Sequence, residues 1–226
     1  NDLCGAISGW TVDELEVWWT GPSPHFPDSA LVVSAADGNR IAGWIGEGDA
    51  SQDPEPARAR CYSKSGDGGT ATTFHAQCDG KGPTVTVAKL STGKVVGGYA
   101  GVSWASSGFY TSSPTNFLFS LSNGFRHALI AGWEWSAQLH SNSNYGPTFG
   151  SGPALYIQRD MNGGSCDLGD TYACRVGADA WGAGGWRWAW WGCGVGVGWG
   201  VGVAGVLRAA AAGGDRSGGR GPEAVD

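Results

Sequence analysis

Polar and apolar positions alternate most clearly over residues 84–90, TVTVAKL, and again over 116–122, NFLFSLS, where Phe117, Phe119 and Leu121 recur at every second position. A period of two marks a half-buried strand. Residues 94–102, KVVGGYAGV, return after Ser91-Thr92-Gly93 as the second arm of a hairpin. Gly97-Gly98 inside that arm predicts a bulge or a close approach of another group to the backbone. Residues 30–46, ALVVSAADGNRIAGWIG, read as a further hairpin, because two apolar runs flank Asp37-Gly38, a strong turn signal. Residues 153–160, PALYIQRD, predict another strand, and 128–140 a strand pair or a mixed segment.

A helical period occurs at 70–78. Thr70 can cap, and Ala71, Phe74 and Cys78 share one face; Gly80, Gly82 and Pro83 then end the helix. Residues 11–19, TVDELEVWW, have two readings. Thr11 with Glu14 fits a capping box that opens a helix, whereas Val12, Leu15 and Val17 begin an edge strand ending in Trp18-Trp19. Residues 20–28, 103–115 and 142–152 are rich in Gly, Pro, Ser and Asn and read as connections. Residues 47–60, with no apolar side chain larger than alanine, read as a solvated linker. Many short strands with few helices predict a sandwich with helical decoration. The segments 30–46 and 85–101 also overlay, Gly38 on Gly93 and Gly43 on Gly98. Either they are hairpins of tandem units, or apolar-turn-apolar hairpins simply look alike.

Composition changes the picture mainly at the C-terminus. The 226 residues carry 20 acidic and 14 basic side chains, a net charge of −6, which argues against non-specific nucleic-acid binding. The 41 glycines and 13 tryptophans concentrate late in the chain. Residues 181–207 contain one charge, Arg187, and 188–207 are uncharged over about the length of a membrane span. Glycine dilutes that stretch too far for a good span. We read 181–226 as a Trp/Gly-rich, poorly ordered tail beyond the folded domain, with a weak membrane contact through 188–207 or an ordered Gly-rich strand pair as alternatives. Membrane contact is therefore not expected to matter.

The six cysteines, Cys4, Cys61, Cys78, Cys166, Cys174 and Cys193, form no C-x-x-C pair, so a zinc ribbon or thioredoxin-type motif is not expected. Their even number permits disulfides, although a chain of this size does not require them. With no N-x-S/T acceptor and no signal peptide, a cytoplasmic setting is the expectation. The chain starts at Asn1, and we expect a fragment or a processed product.

Candidate chemistry is sparse. His75 and Cys78 lie three apart on the expected helix, so a thiolate–imidazolium contact is conceivable, and Cys78 is a candidate redox-sensitive thiol. Catalytic Cys-His pairs usually draw their partners from separate elements, with a third group orienting the base, which favours structural burial instead. Residues 160–170, DMNGGSCDLGD, lack the order of an EF-hand and its closing glutamate, so no metal is expected. Residues 66–69 and 80–82 do not form a phosphate loop, and no cofactor is expected. Trp104, Tyr110, Tyr145 and Phe149 fall in expected loops, where aromatic rings stack on sugars or anchor a protein partner.

Taken in order, the segment from Cys61 to Leu121 and the later SNYGPTFGSGPALYI resemble a TLDc domain in its protist and algal form. The F-H-x-x-C-D helix, the G-P-T-V-T hairpin, the G-G-Y and S-W pair, the F-L-F-S-L strand and the Y-G-P-T-F-G-x-G-x-x-L-Y-I segment follow one another as in that family. The likeness covers about residues 60–175, and LGDTYAC at 168–174 still shares it. The Trp/Gly tract then stands where the family closes with a strand, and residues 11–19 look like such a strand. They read as the end of a preceding unit within 1–20, or as a strand completing this one in a permuted sheet. The expected organisation is then a hairpin plus linker over 21–59, a TLDc-like domain over 60–180 and the tail.

The resemblance implies an α+β fold, a two-sheet antiparallel β-sandwich flanked by a few helices, with Trp104 and Phe149 plugging its core. It also implies a non-enzymatic module that binds a protein partner, associated with oxidative-stress resistance or the vacuolar proton ATPase. A carbohydrate-binding or cell-surface sandwich and a thiol-based antioxidant enzyme are the alternatives.

Overall fold

The computed structural model describes residues 3–5, 8–19, 26–48, 58–132, 138–140, 142–150, 152, 154–168 and 171–173. All of these lie in the first of two compact units, Asn1–Val195 and Gly196–Asp226. Their fold is the expected α+β sandwich: two antiparallel sheets with three short helices. One sheet has six strands in the order β2 (Ala59–Ser63), β1 (Val12–Trp19), β3 (Thr84–Leu90), β4 (Val95–Ala100), β6 (Phe117–Ser120) and β7 (Phe125–His127). The other has five, β11 (Gly164–Cys166), β10 (Leu155–Ile157), β9 (Thr148–Phe149), β8 (Gln138–His140) and β5 (Tyr110–Ser112).

The six-stranded sheet is buried on both faces, and strand alternation sorts its side chains between two cores. Leu15, Val17, Ala88, Leu90, Val96 and Leu118 face the second sheet and meet Phe149, Leu155 and Ile157. Trp18, Val85, Val87, Tyr99, Phe117 and Phe119 face the other way, under Phe26, Leu31, Val32 and helix α1 (Ala35–Gly48). Gly97-Gly98 is a place of close approach and not a bulge. A Cβ on Gly98 would sit 2.7 Å from Phe149 Cζ, and one on Gly97 would sit 2.5 Å from Phe119 Cζ. The glycine pair thus lets an aromatic ring lie on the backbone from each side.

Helix α1 corrects the hairpin expected over 30–46. Ser34 Oγ accepts the amide of Asp37 at 3.0 Å and donates to Asp37 Oδ2 at 2.8 Å, and the Gly38 amide bonds Ser34 O at 3.1 Å. Asp37-Gly38 therefore sits in a capped first turn, not in a β-turn. Ile41 and Ile45, four apart and fully buried, supply the helical face, and Trp44 packs beside them. Because 35–46 is helical while 85–101 is a hairpin, the overlay of the two segments reflects glycine spacing and not a repeated unit.

The second correction concerns residues 11–19. They form neither a helix nor an edge strand but β1, second in from one side of the six-stranded sheet and paired with β2 and β3. A register shift between Val12 and Glu14 explains why Val12, Leu15 and Val17 miss strict alternation while all point to one core. So β1 is an integral strand of this sandwich, and a domain boundary at 60 falls inside β2. Residues 49–57 of the expected linker, 174–180 of the expected domain and the whole expected tail, 181–226, lie outside the described residues.

β1 also carries Glu16, a carboxylate only 1% exposed. It accepts from the Ala30 amide at 2.9 Å, from Trp18 Nε1 at 3.3 Å, from Arg60 Nη1 at 3.4 Å and from the Ser29 hydroxyl. Ser29 Oγ in turn accepts the amides of Leu31 and Val32. One buried anion therefore folds the 29–32 turn that seats two core residues.

Candidate functional site

Helix α3 (Ala71–Cys78) forms as expected: Thr70 Oγ1 caps it by accepting the Thr73 amide at 3.1 Å, and Ala71, Phe74 and Cys78 are buried. Its C-terminal end is where candidate residues converge. His75, 3% exposed, places Nδ1 2.7 Å from Asp79 Oδ1 and Nε2 3.1 Å from the carbonyl of Tyr145. Ser106 donates to Asp79 Oδ2 at 2.7 Å. The Gly80 amide bonds Trp104 O at 3.0 Å and the Gly82 amide bonds Ser103 Oγ at 2.8 Å. Both ring nitrogens of His75 face oxygen atoms, so the ring is engaged by Asp79 and Tyr145 and not by a sulfur. The His–Asp–Ser chain pins two loops, 103–109 and 142–146, to the helix.

Cys78 is not a thiol. Its sulfur is bonded to Cys61 of β2, and a second bridge joins Cys4 to Cys166 of β11. The expected redox-sensitive thiol beside His75 is thus corrected to one half of a disulfide, and the thiol-based antioxidant reading loses the thiolate it needs. Two bridges are also at odds with the expected cytoplasmic setting, where thiols are kept reduced. Each bridge ties an edge strand. Cys61–Cys78 holds β2 to α3, and Cys4–Cys166 holds the N-terminal segment, through buried Leu3, Cys4 and Trp10, to β11.

The four candidate aromatics divide. Trp104 and Phe149 are fully buried core plugs, as the resemblance implied. Trp104 meets Phe149 and Phe74 edge-on at 5.5 Å, Phe74 meets Tyr62 at 5.9 Å, and Trp104 Nε1 donates to Thr84 Oγ1 at 2.8 Å. Tyr145 is half-buried, its ring edge-on to Tyr156 at 5.4 Å. Tyr110 is 52% exposed, and beside it Phe109, a residue the sequence reading passed over, is 75% exposed. Both lie at the start of β5, which among the described residues is an edge strand of the five-stranded sheet and pairs with β8.

A groove of about 560 Å³ runs past the start of α3, lined by Gly69, Thr70, Thr72, Tyr156, Gln158, Arg159 and Asp160. Burial raises the Tyr156 phenol above its usual pKa, and the neighbouring Tyr145 and Asp160 push the same way. Asp67 and Asp160 serve turns. Asp67 accepts from the Ser63 amide and from Gln77, and Asp160 accepts from the Asn162 amide. Among the described residues no group of three His, Cys, Asp or Glu side chains is arranged to hold a metal. No helix among them is long and apolar enough to cross a membrane.

The sequence model of the TLDc domain family matches residues 50–180. No curated protein matches the chain.

Proposed function

From its place in the TLDc family, to which this chain belongs, we propose that the domain is a non-enzymatic interaction module. It docks an extended, uncharged segment of a protein partner along β5. The observation that carries this reading is the pair Phe109 and Tyr110, held out to solvent at the head of an edge strand. Exposed aromatic side chains are common anchors for a protein partner, and the alternate side chains of an extended segment supply specificity. From Ala105 to Ser113 the chain carries no charge that would repel an apolar segment. The bonds from Ser103, Trp104 and Ser106 to the end of α3 fix the base of this loop, so binding orders little chain. The family resemblance offers the vacuolar proton ATPase as the partner and oxidative-stress resistance as the process.

The test places a photo-crosslinking residue at Thr111 in the full chain, with purified vacuolar proton ATPase as the probe. The reading expects crosslinks confined to one extended segment of a subunit, lost in the double variant F109S/Y110S without a change in melting temperature. Unchanged crosslinking in that variant refutes the docking site. Turnover of a substrate by the full chain, abolished by His75→Ala, refutes the non-enzymatic reading.

A second reading, a carbohydrate-binding sandwich, is favoured by the groove at α3. There the half-buried Tyr156 ring lies among the exposed side chains of Gln158, Arg159 and Asp160, the mixture that sugar stacking and hydroxyl recognition use. Saturation-transfer NMR against a panel of neutral oligosaccharides tests it. A signal lost in Tyr156→Ala supports it, and silence across the panel removes it.

A further inference from the structure

The two disulfides differ in exposure and in how their strands present them. Cys4 and Cys166 are both fully buried in the core between the sheets. Cys78 is fully buried too, but Cys61 is only half-buried and lies on β2, which among the described residues pairs only with β1. The register there is irregular. Tyr62 lies opposite Val17 and Arg60 opposite Trp18, which leaves Cys61 as an extra residue with no partner across the ladder. That is a β-bulge, and a bulge re-aims the side chain it carries. Here it turns two successive residues to the same side: Tyr62 enters the core between the sheets, and Cys61 packs against that core and reaches Cys78. A regular strand would have sent one of them to the opposite face.

We propose that Cys61–Cys78 is a thiol–disulfide exchange site, opened by a dithiol reductant that attacks Cys61, and that Cys4–Cys166 is a closed structural staple. The step balances as follows. A thiolate of the reductant attacks Cys61 Sγ, the Cys61–Cys78 bond breaks, and Cys78 leaves as a thiolate that takes a proton. The reductant's second thiol then attacks the mixed disulfide, releases Cys61 as a thiol and closes the reductant's own disulfide. Two electrons pass to the protein. The consequence is local. Reduction unhooks α3 from β2 at the helix end whose His75, Asp79 and Gly80 hold the 142–146 and 103–109 loops. The ladders of β1, β3 and β4 are untouched.

The experiment treats the oxidised full chain with dithiothreitol under native conditions, alkylates at timed intervals and reads each cysteine peptide by mass spectrometry. Hydrogen exchange is followed in parallel. Accessibility predicts that Cys61 and Cys78 become labelled about ten-fold or more ahead of Cys4 and Cys166. Amides of α3 and of 103–109 should exchange faster in that interval, while those of β1 and β3 stay protected. Equal labelling rates at the two bridges, labelling of Cys61 and Cys78 before any reductant is added, or protection lost throughout the sheet at the first labelling event each overturns the proposal. The measurement needs no substituted protein. The double variant C61S/C78S, where it folds, should reproduce the exchange pattern of the partly reduced chain, and a pattern identical to the oxidised protein counts against it.

Discussion

Glu16→Gln isolates what one buried carboxylate contributes. The side chain keeps its shape, but one of its two oxygens becomes an NH2 group that cannot accept. In the native fold Oε1 takes the Ala30 amide and Arg60, while Oε2 takes Trp18 Nε1 and the Ser29 hydroxyl. Glutamine can satisfy only one of these pairs. If its oxygen stays with the Ala30 amide, the indole N–H of Trp18, a residue 1% exposed, is left without an acceptor. A buried donor orphaned in this way costs about 1–3 kcal/mol, and hydrogen bonds to a charged group contribute about 1.5–3 kcal/mol each. Arg60 adds little, because its side chain is 36% exposed and rim ion pairs contribute about 0–1 kcal/mol. The expected cost of Glu16→Gln is therefore about 2–3 kcal/mol, a fall in melting temperature of roughly 5–10 °C for a domain of this size. Glu16→Ala also removes the acceptor of the Ala30 amide and frees the 29–32 turn, and should cost about 3–5 kcal/mol. Urea unfolding followed by circular dichroism measures both, and Arg60→Ala serves as the low-cost control. A Glu16→Gln protein within about 0.5 kcal/mol of the native chain, the range of ordinary surface changes, would refute the reasoning.

Three further outcomes are expected. Gly98→Ala places a methyl 2.7 Å from Phe149 Cζ and 2.9 Å from Leu118 Cδ2, and should destabilise by about 1–3 kcal/mol in the same assay; an unchanged midpoint contradicts the close approach. The double variant C4S/C166S opens a loop spanning 162 residues and should lose about 5 kcal/mol by chain entropy; thermal melting in the absence of reductant reads the loss. Burial raises the phenol pKa values of Tyr62 and Tyr172 above the usual 10, so above that pH the unfolded chain ionises both while the fold keeps them neutral. The unfolded state then binds fewer protons, and stability falls as pH rises past about 10, by up to about 1.4 kcal/mol per pH unit for each tyrosine. Phenolate absorbance should show these two silent until unfolding, and Tyr172→Phe should flatten the fall; a slope unchanged in that variant removes Tyr172 from the account.

Elements that sit on regular periods were legible in the sequence. Thr84–Leu90 and Phe117–Ser120 were legible as strands but not as half-buried ones, since every residue of both except Lys89 is buried and Thr84, Thr86 and Ser120 are polar residues inside a core, and α3 announced itself through Thr70 and the Phe74/Cys78 face. Helix α1 was misread because Asp37-Gly38 is as good in a capped first turn as in a hairpin, and the deciding bond comes from Ser34. The Ile41/Ile45 spacing was the helical signal available. The site was legible in part. Trp104, Tyr110, Tyr145 and Phe149 look alike as loop aromatics in the sequence, and only a tertiary structure separates Trp104 and Phe149, which plug a core, from Tyr110, left at an edge. Phe109 was detectable as the apolar neighbour of Tyr110 in a Ser- and Gly-rich loop. The Cys61–Cys78 pairing was not, since it depends on a one-residue bulge that no local pattern marks. Glu16 was hidden for a similar reason: among Asp13, Glu14 and Glu16 nothing local says which acid is turned inward.

The place of β1 fixes what truncation should do. A fragment of residues 58–180 retains the TLDc core motifs and nine-tenths of the match to the family, so composition alone would rate it a complete domain. It lacks Val12–Trp19, however, and with it the strand that joins β2 to β3 among the described residues. Leu15, Val17 and Trp18 are 0–1% exposed, and their loss removes about 5–9 kcal/mol of apolar burial at about 1.5–3 kcal/mol per side chain. The Cys4–Cys166 staple goes as well, at about 5 kcal/mol. Together these come to about 10–14 kcal/mol, comparable to the whole stability of an ordinary domain, about 5–15 kcal/mol. The orphaned edge of β3 would in addition expose Thr84, Thr86 and Ala88 backbone groups now paired with β1. The fragment should therefore show no cooperative melt, bind a hydrophobic dye and be cut throughout by protease, while 1–180 melts sharply. A sharp melt of 58–180 would mean that the sheet closes without β1, and would restore residues 1–20 to a separate unit.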